Sequence, residues 1–158
     1  MTSIVRKATL KDLPILLAFE QNLIQAERPF DSTLKNGKIS YYDISELITQ
    51  TDSEVFVAEI DNEIVASGYA KIKIDKPYLK HKQQGYLGFM FVPQQHRGKQ
   101  LNKLIVDELF KWCKSRGVFE IRLDVYDENI PALKAYEKAG FKKHLINMRV
   151  NIENLNLK

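Results

Sequence analysis

Between Tyr86 and Asn102 (YLGFMFVPQQHRGKQLN) the spacing of apolar positions changes period. Leu87 to Val92 is a short apolar run of strand length, broken at Pro93 and followed by the polar turn Gln94-Gln95-His96-Arg97-Gly98. From Lys99 onward the spacing predicts a helix, because Leu101, Leu104, Ile105, Leu109, Trp112 and Cys113 fall at offsets 0, 3, 4, 8, 11 and 12 on one face. A second strand-like run follows at Val118 to Val125, then the turn Tyr126-Asp127-Glu128-Asn129. A short helix next carries Ala132, Ala135, Tyr136 and Ala139 on one face and ends at Gly140-Phe141.

Upstream, Ile4 to Ala8 predicts a first strand, and Thr9 with Asp12 predicts a capping box at a helix start. That helix carries Leu13, Leu16, Leu17 and Ile24 on its apolar face and ends in Ala26–Asp31; Tyr41 to Gln50 predicts a second, short helix. Glu54–Ile60 and Glu63–Ile74 read as strands joined by a tight hairpin at Asp61-Asn62. From Lys142 to Leu155 residues alternate, with Leu145, Asn147 and Arg149 against Ile146, Met148 and Val150, which predicts a last strand. The order βααβββαβαβ implies an α/β (α+β) fold: a mixed, mostly antiparallel sheet with helices on both faces. No linker or repeat divides residues 1–158, so a single domain is expected.

A strand that feeds a basic, glycine-containing turn and then a helix leaves unpaired backbone N–H groups at the helix start. Together with the helix dipole these make a phosphate seat, to which Arg97 and Lys99 add charge. A loop that merely needed one flexible residue is the plainer alternative, and the turn by itself leaves both open.

Charge and composition narrow the classes. With 24 basic and 20 acidic residues the excess suits an anionic cofactor but falls short of a nucleic-acid signature. The densest basic stretch, Lys71 to Lys82 around Tyr78, reads as a solvated strand end and loop, so no nucleic-acid partner is expected. MTSIVRKATL has no apolar core of a signal segment and no transmembrane run occurs, so neither a membrane nor secretion is expected, and the localisation expected is cytoplasmic. The lone Cys113 lies on the apolar helix face and excludes an intrachain disulfide. The three histidines are scattered, with no zinc spacing, and no metal is expected.

The sequence from about Met90 to Phe141 resembles the GNAT superfamily of acyl-CoA-dependent N-acetyltransferases. The resemblance is carried by the strand, the Gln95-His96-Arg97-Gly98-Lys99-Gln100 turn, the long helix, a strand, Asn129 and the AlaTyrGluLysAlaGlyPhe helix. The opening IVRKATLKDL is similar to that superfamily's first strand and helix start. Two positions depart from its pattern: Gln100 stands where glycine or alanine is usual, and Asn102 where a small residue is common.

The resemblance implies acetyl-CoA as cosubstrate, with the backbone of Met90, Phe91 and Val92 pairing the pantetheine arm. The amides of Arg97, Gly98, Lys99, Gln100, Leu101 and Asn102 would surround the pyrophosphate. Asn129 would contact the cofactor, and its type and place also suit a helix N-cap before Ile130-Pro131. Tyr136 would be the general acid toward the departing thiolate; otherwise it is a core tyrosine whose hydroxyl bonds the backbone. Asp124, five positions before Asn129, is a candidate base, against a surface aspartate paired with Arg122 or a water held by carbonyls. No acid lies on Tyr86–Val92 to serve instead.

The implied reaction is direct attack of a small-molecule, peptide or protein amine on the thioester in a ternary complex, by a monomer or homodimer. The loops Glu27–Gly37 and Lys76–Gly85 are the expected acceptor side. Gln100, expected within the first helical turn, either donates its amide to the pyrophosphate or crowds it. The second outcome would leave a non-catalytic acyl-CoA-binding module of the same fold.

Overall fold

The structure is a computed structural model and describes residues 2–158. Among the described residues five strands form one sheet in chain order: β1 (Ser3–Lys7), β2 (Ser53–Ile60), β3 (Glu63–Ile74), β4 (Gln83–Phe91) and β5 (Ile121–Arg122). The first four pair antiparallel and β5 joins β4 parallel. At the expected hairpin, Asp61 and Asn62 have φ of 51° and 66°, the two left-handed residues that a tight two-residue turn requires.

The helices are α1 (Leu13–Glu27), α2 (Ile44–Thr49), α3 (Leu101–Ser115) and α4 (Ile130–Lys138). They cover both faces of the sheet. Leu101, Ile105, Leu109, Trp112 and Cys113 of α3 pack on Phe56, Ala58, Ala66, Ala70 and Leu87. On the other face Leu16 and Phe19 of α1, with Ile44 and Leu47 of α2, pack on Val55, Val57, Tyr69, Phe89 and Phe91. Both parities of β2 are therefore apolar, as expected of a strand covered on two sides. At Gly68 a Cβ would stand 2.6 Å from Ile105 and Met90, so glycine lets α3 close on β3.

Three features depart from the sequence expectation. Leu17 is exposed, and the inward face of α1 carries Phe19 and Glu20 instead. The Glu20 carboxylate, 1% exposed, accepts the amides of Tyr41 (2.9 Å) and Tyr42 (2.8 Å), which makes its burial tolerable. The run Val118–Val125 pairs only through Ile121 and Arg122, opposite Gly85 and Tyr86. Residues 142–150 form no strand: they have no regular secondary structure and are exposed, and a 3-10 turn at Ile152–Asn154 follows. Alternation defines two faces, but a strand also needs a paired neighbour, and this segment pairs with no strand among the described residues.

The early end of β5 positions the site. β4 continues to Phe91 while its pairing with β5 stops at Tyr86, so the two strands part and leave that edge of Leu87–Phe91 open. A bulge marks the same stretch. Ser67 pairs with Phe91 and Tyr69 with Gly88, so β4 carries one extra residue, and Phe89 has φ of 55°. The Ser67 hydroxyl, buried, donates to the Phe89 carbonyl at 3.0 Å and holds the bulge.

Candidate active site

One wall of the cleft is the parted end of β4. Phe91 is buried, while Met90 and Val92 are half-buried and pack toward α3. The Val92 carbonyl accepts from Arg97 Nε at 3.1 Å, so the Arg97 guanidinium braces the turn that follows. The turn is a 3-10 segment (Gln94–His96), then Gly98 at φ of 81° and Gln100 at φ of 60°.

Gln100 is thus the N-cap of α3 in the left-handed region, not a residue of its first turn as expected. Its side chain makes no capping bond, so the amides of Leu101, Asn102 and Lys103 point out of the helix start uncapped. Lys99 Nζ lies 3.2 Å from His96 Nδ1, beside that opening. The donor set and the helix dipole suit an anion.

The opposite wall is the end of β5 and α4. Asn129 caps α4, accepting from the Ala132 amide at 3.4 Å, with Pro131 in the first turn. Tyr136 stands edge-on to Phe141 (5.8 Å), which in turn touches Phe110 (5.7 Å). Burial, then the charge of Glu27, pushes the Tyr136 phenol up to about 12. Among the described residues nothing bonds its hydroxyl, so the backbone partner of a core tyrosine is missing.

Asp124, just past β5 and exposed, accepts a 2.8 Å hydrogen bond from the Tyr86 hydroxyl across the parted strands. Its expected partner Arg122 pairs with Glu120 instead, at 3.0 Å. Burial and then the bond to Asp124 raise the Tyr86 phenol well above its ordinary value. Cys113 is buried in the core, its thiol raised to about 11 by desolvation, which suits no nucleophile.

Sequence reading missed a ring of tyrosines and carboxylates above this cleft. Tyr126 donates to Asp31 at 2.7 Å and lies against Phe30 at 6.0 Å. Tyr42 meets both Tyr69 and Phe89 at 5.4 Å. Glu27 closes α1 there; burial raises its carboxyl, and its charge raises Tyr41, Tyr86, Tyr126 and Tyr136. Only the expectation that Glu27–Gly37 is a site loop pointed this way; the sequence around Tyr41 and Tyr42 reads as a helix start. No group of three or more metal-ligating side chains occurs among the described residues, and no helix among them is long and apolar enough to cross a membrane.

The chain is 34% identical over 95 residues to glucosamine 6-phosphate N-acetyltransferase of Arabidopsis thaliana, a match covering 60% of this chain and 60% of that protein. It is 29% identical over 110 residues to an N-alpha-acetyltransferase of Sulfurisphaera tokodaii, covering 65% of each. The chain therefore spans less than two thirds of the length of these curated relatives. Among solved structures, a predicted acetyltransferase of Clostridium acetobutylicum with acetyl-CoA superposes with a TM-score of 0.73 at 21% identity, over 98% of this chain and 100% of that one. A single-substitution mutant of the BH1408 protein of Bacillus halodurans gives a TM-score of 0.83 at 21% identity, over 94% of this chain and 98% of that one. The sequence profile of the Acetyltransferase (GNAT) family matches residues 21–141, and the chain belongs to that family.

Proposed function

We propose that this protein transfers the acetyl group of acetyl-CoA to a primary amine by direct attack in a ternary complex. The observation that carries the reading is the open edge of β4 leading straight into an uncapped helix start. A thioester with an anionic tail fits that run. Its pyrophosphate would meet the amides of residues 98–102, since the Arg97 amide, expected among them, already donates to the Gln94 carbonyl at 3.2 Å; its amide-bearing arm would pair with the backbone of Met90–Val92. Asn129 keeps its side-chain N–H₂ for the cofactor while its oxygen caps α4. The acetyl-CoA found with the Clostridium acetobutylicum structure supports the same cosubstrate.

Tyr136 faces the departing thiolate. An ordinary thiol has a pKa of about 8.5, so full transfer from a phenol at about 12 is uphill by about 5 kcal/mol. Tyr136 acts first as a hydrogen-bond donor that stabilises developing charge on sulfur, and yields its proton as general acid only as that charge matures. Asp124, held by Tyr86, is the base that takes a proton from the acceptor ammonium, directly or through one water, so that the neutral amine attacks the thioester carbonyl. The carboxylates of Glu27, Asp31 and Asp124 favour a cationic acceptor, either a small molecule or a peptide amine. Gln100 is exposed and leaves the helix-start amides uncovered, which gives the non-catalytic alternative no support.

Thiol release measured with acetyl-CoA against a panel of amines and peptides tests the proposal. Release above the amine-free rate is expected for at least one cationic acceptor. Acetyl-CoA at a hundred times its Kd should also stabilise the fold by about 2.7 kcal/mol. No thermal shift at millimolar acetyl-CoA would refute the reading.

A further inference from the structure

The basic stretch from Lys71 to Lys82 divides in the structure. Lys76, Lys80 and Lys82 are exposed in the loop after β3, but Lys71 and Lys73 belong to the strand itself. Alternation puts Tyr69, Lys71 and Lys73 on one face of β3, the face that α1 and α2 cover. Between the two lysines and α2 lies a cleft of about 250 Å³, lined also by Tyr42 and Tyr69.

Both cations lack a counter-ion. Among the described residues neither pairs with a carboxylate, although Asp43 and Glu46 border the same cleft. Those two acids are engaged locally. Asp43 accepts from the Ser45 hydroxyl (2.8 Å) and the Glu46 amide (3.1 Å), and Glu46 accepts from the Gln50 side chain. Lys71 is half-buried, where a charge without a partner is costly. The Lys73 ammonium lies 3.9 Å from the centre of the Tyr86 ring, and the Tyr86 hydroxyl donates to Asp124. One tyrosine side chain therefore separates this cation from Asp124.

We propose that Lys71 and Lys73 bind an anionic group of the acceptor, a carboxylate or a phosphate, so that the acceptor is a small zwitterionic amine with its nitrogen at Asp124. The inference rests on the acetyl-transfer reading and narrows its acceptor. Positions two apart on a strand stand about 7 Å apart, which lets two ammonium groups close on one anion from either side. The acceptor side then has two poles: Glu27, Asp31 and Asp124 draw the amine, and the lysines of β3 take the opposite charge. The volume of the cleft suits the end group of a small molecule.

Two matched pairs of amines test this: ethanolamine against O-phosphoethanolamine, and butylamine against 4-aminobutanoate. Amide spectra of the isotope-labelled protein, which need no acetyl-CoA, should show the anionic member of a pair shifting residues 69–73 and binding about 10- to 100-fold more tightly than its partner. With acetyl-CoA present, thiol release should favour the same member in kcat/KM, through KM. The pair that responds tells phosphate from carboxylate. Lys71→Gln/Lys73→Gln should erase the preference, and Lys73→Gln alone, at an exposed position, should reduce it even where the double variant fails to fold. Anionic members that shift no amide of β3, or bind no more tightly than their partners, would overturn the proposal. So would a preference undiminished in the folded variants, or inorganic phosphate binding as tightly as O-phosphoethanolamine, since the amine would then add nothing. Should acetyl-CoA give no thermal shift, the acetyl-transfer reading fails and the amide titration still decides the anion subsite. Should it give one while thiol release ignores the anion, only the subsite fails.

Discussion

Replacing Gln100 with glycine separates what its backbone does from what its side chain does. At φ of 60° a non-glycine residue carries a steric penalty of roughly 1–2 kcal/mol, which glycine does not. Glycine loses about 0.5–1 kcal/mol more backbone entropy on folding, so the unliganded fold should gain about 0.5–1 kcal/mol. Had Gln100 lain in the first helical turn, as its spacing suggested, the same change would have cost helix propensity; its N-cap position reverses the sign. The side chain works in the other direction. If its N–H₂ donates to the pyrophosphate, removing it costs about 1 kcal/mol of binding, or roughly fivefold in Kd. Denaturant unfolding without ligand and titration calorimetry with acetyl-CoA read the two effects separately. Gln100→Ala is the control, since it keeps the strained φ and loses the amide, so it should bind as weakly as glycine without the gain in stability. A glycine variant that is less stable than wild type would refute the backbone argument, and tighter binding would show that Gln100 obstructs the site.

Tyr136→Phe should leave acetyl-CoA affinity nearly intact and lower turnover by about 10²–10⁴, read from steady-state kinetics; unchanged turnover would mean that the thiolate leaves to water. Glu20→Ala should destabilise by about 2–4 kcal/mol in denaturant melts, because two loop amides lose their buried acceptor, while Glu20→Gln, which keeps an acceptor oxygen, should lose less. The Asp12 carboxyl is held below its ordinary value, first by Arg6 (2.8 Å) and then by the Thr9 amide, against the cost of burial. A depressed carboxylate stabilises the fold above its unfolded pKa of about 3.9 and loses that contribution as pH falls through the lower folded value. Arg6 is a third exposed, so Asp12→Asn should cost only about 1 kcal/mol at pH 7, with the difference from wild type vanishing well below pH 4 in paired melts.

Elements set by neighbours in sequence were legible from sequence alone. The α3 face is a periodicity, the Asp61-Asn62 hairpin a local backbone preference, and Asn129 a cap completed three residues later at Ala132. The strand, turn and helix start around Gly98 belong with them, because a helix start creates its own orphan amides. Contacts between distant segments were not legible. Tyr86 and Asp124 are 38 residues apart, Tyr126 and Asp31 are 95 apart, and no local pattern links either pair. The bulge that turns Phe89 to positive φ arises from register between β3 and β4, and the burial of Glu20 from a loop arriving about twenty residues later. The segment from Leu145 to Val150 marks the boundary most sharply. Side-chain alternation is a property of the chain and announced a strand; pairing belongs to two edges, and only the tertiary structure could decide whether a second edge was there to meet it.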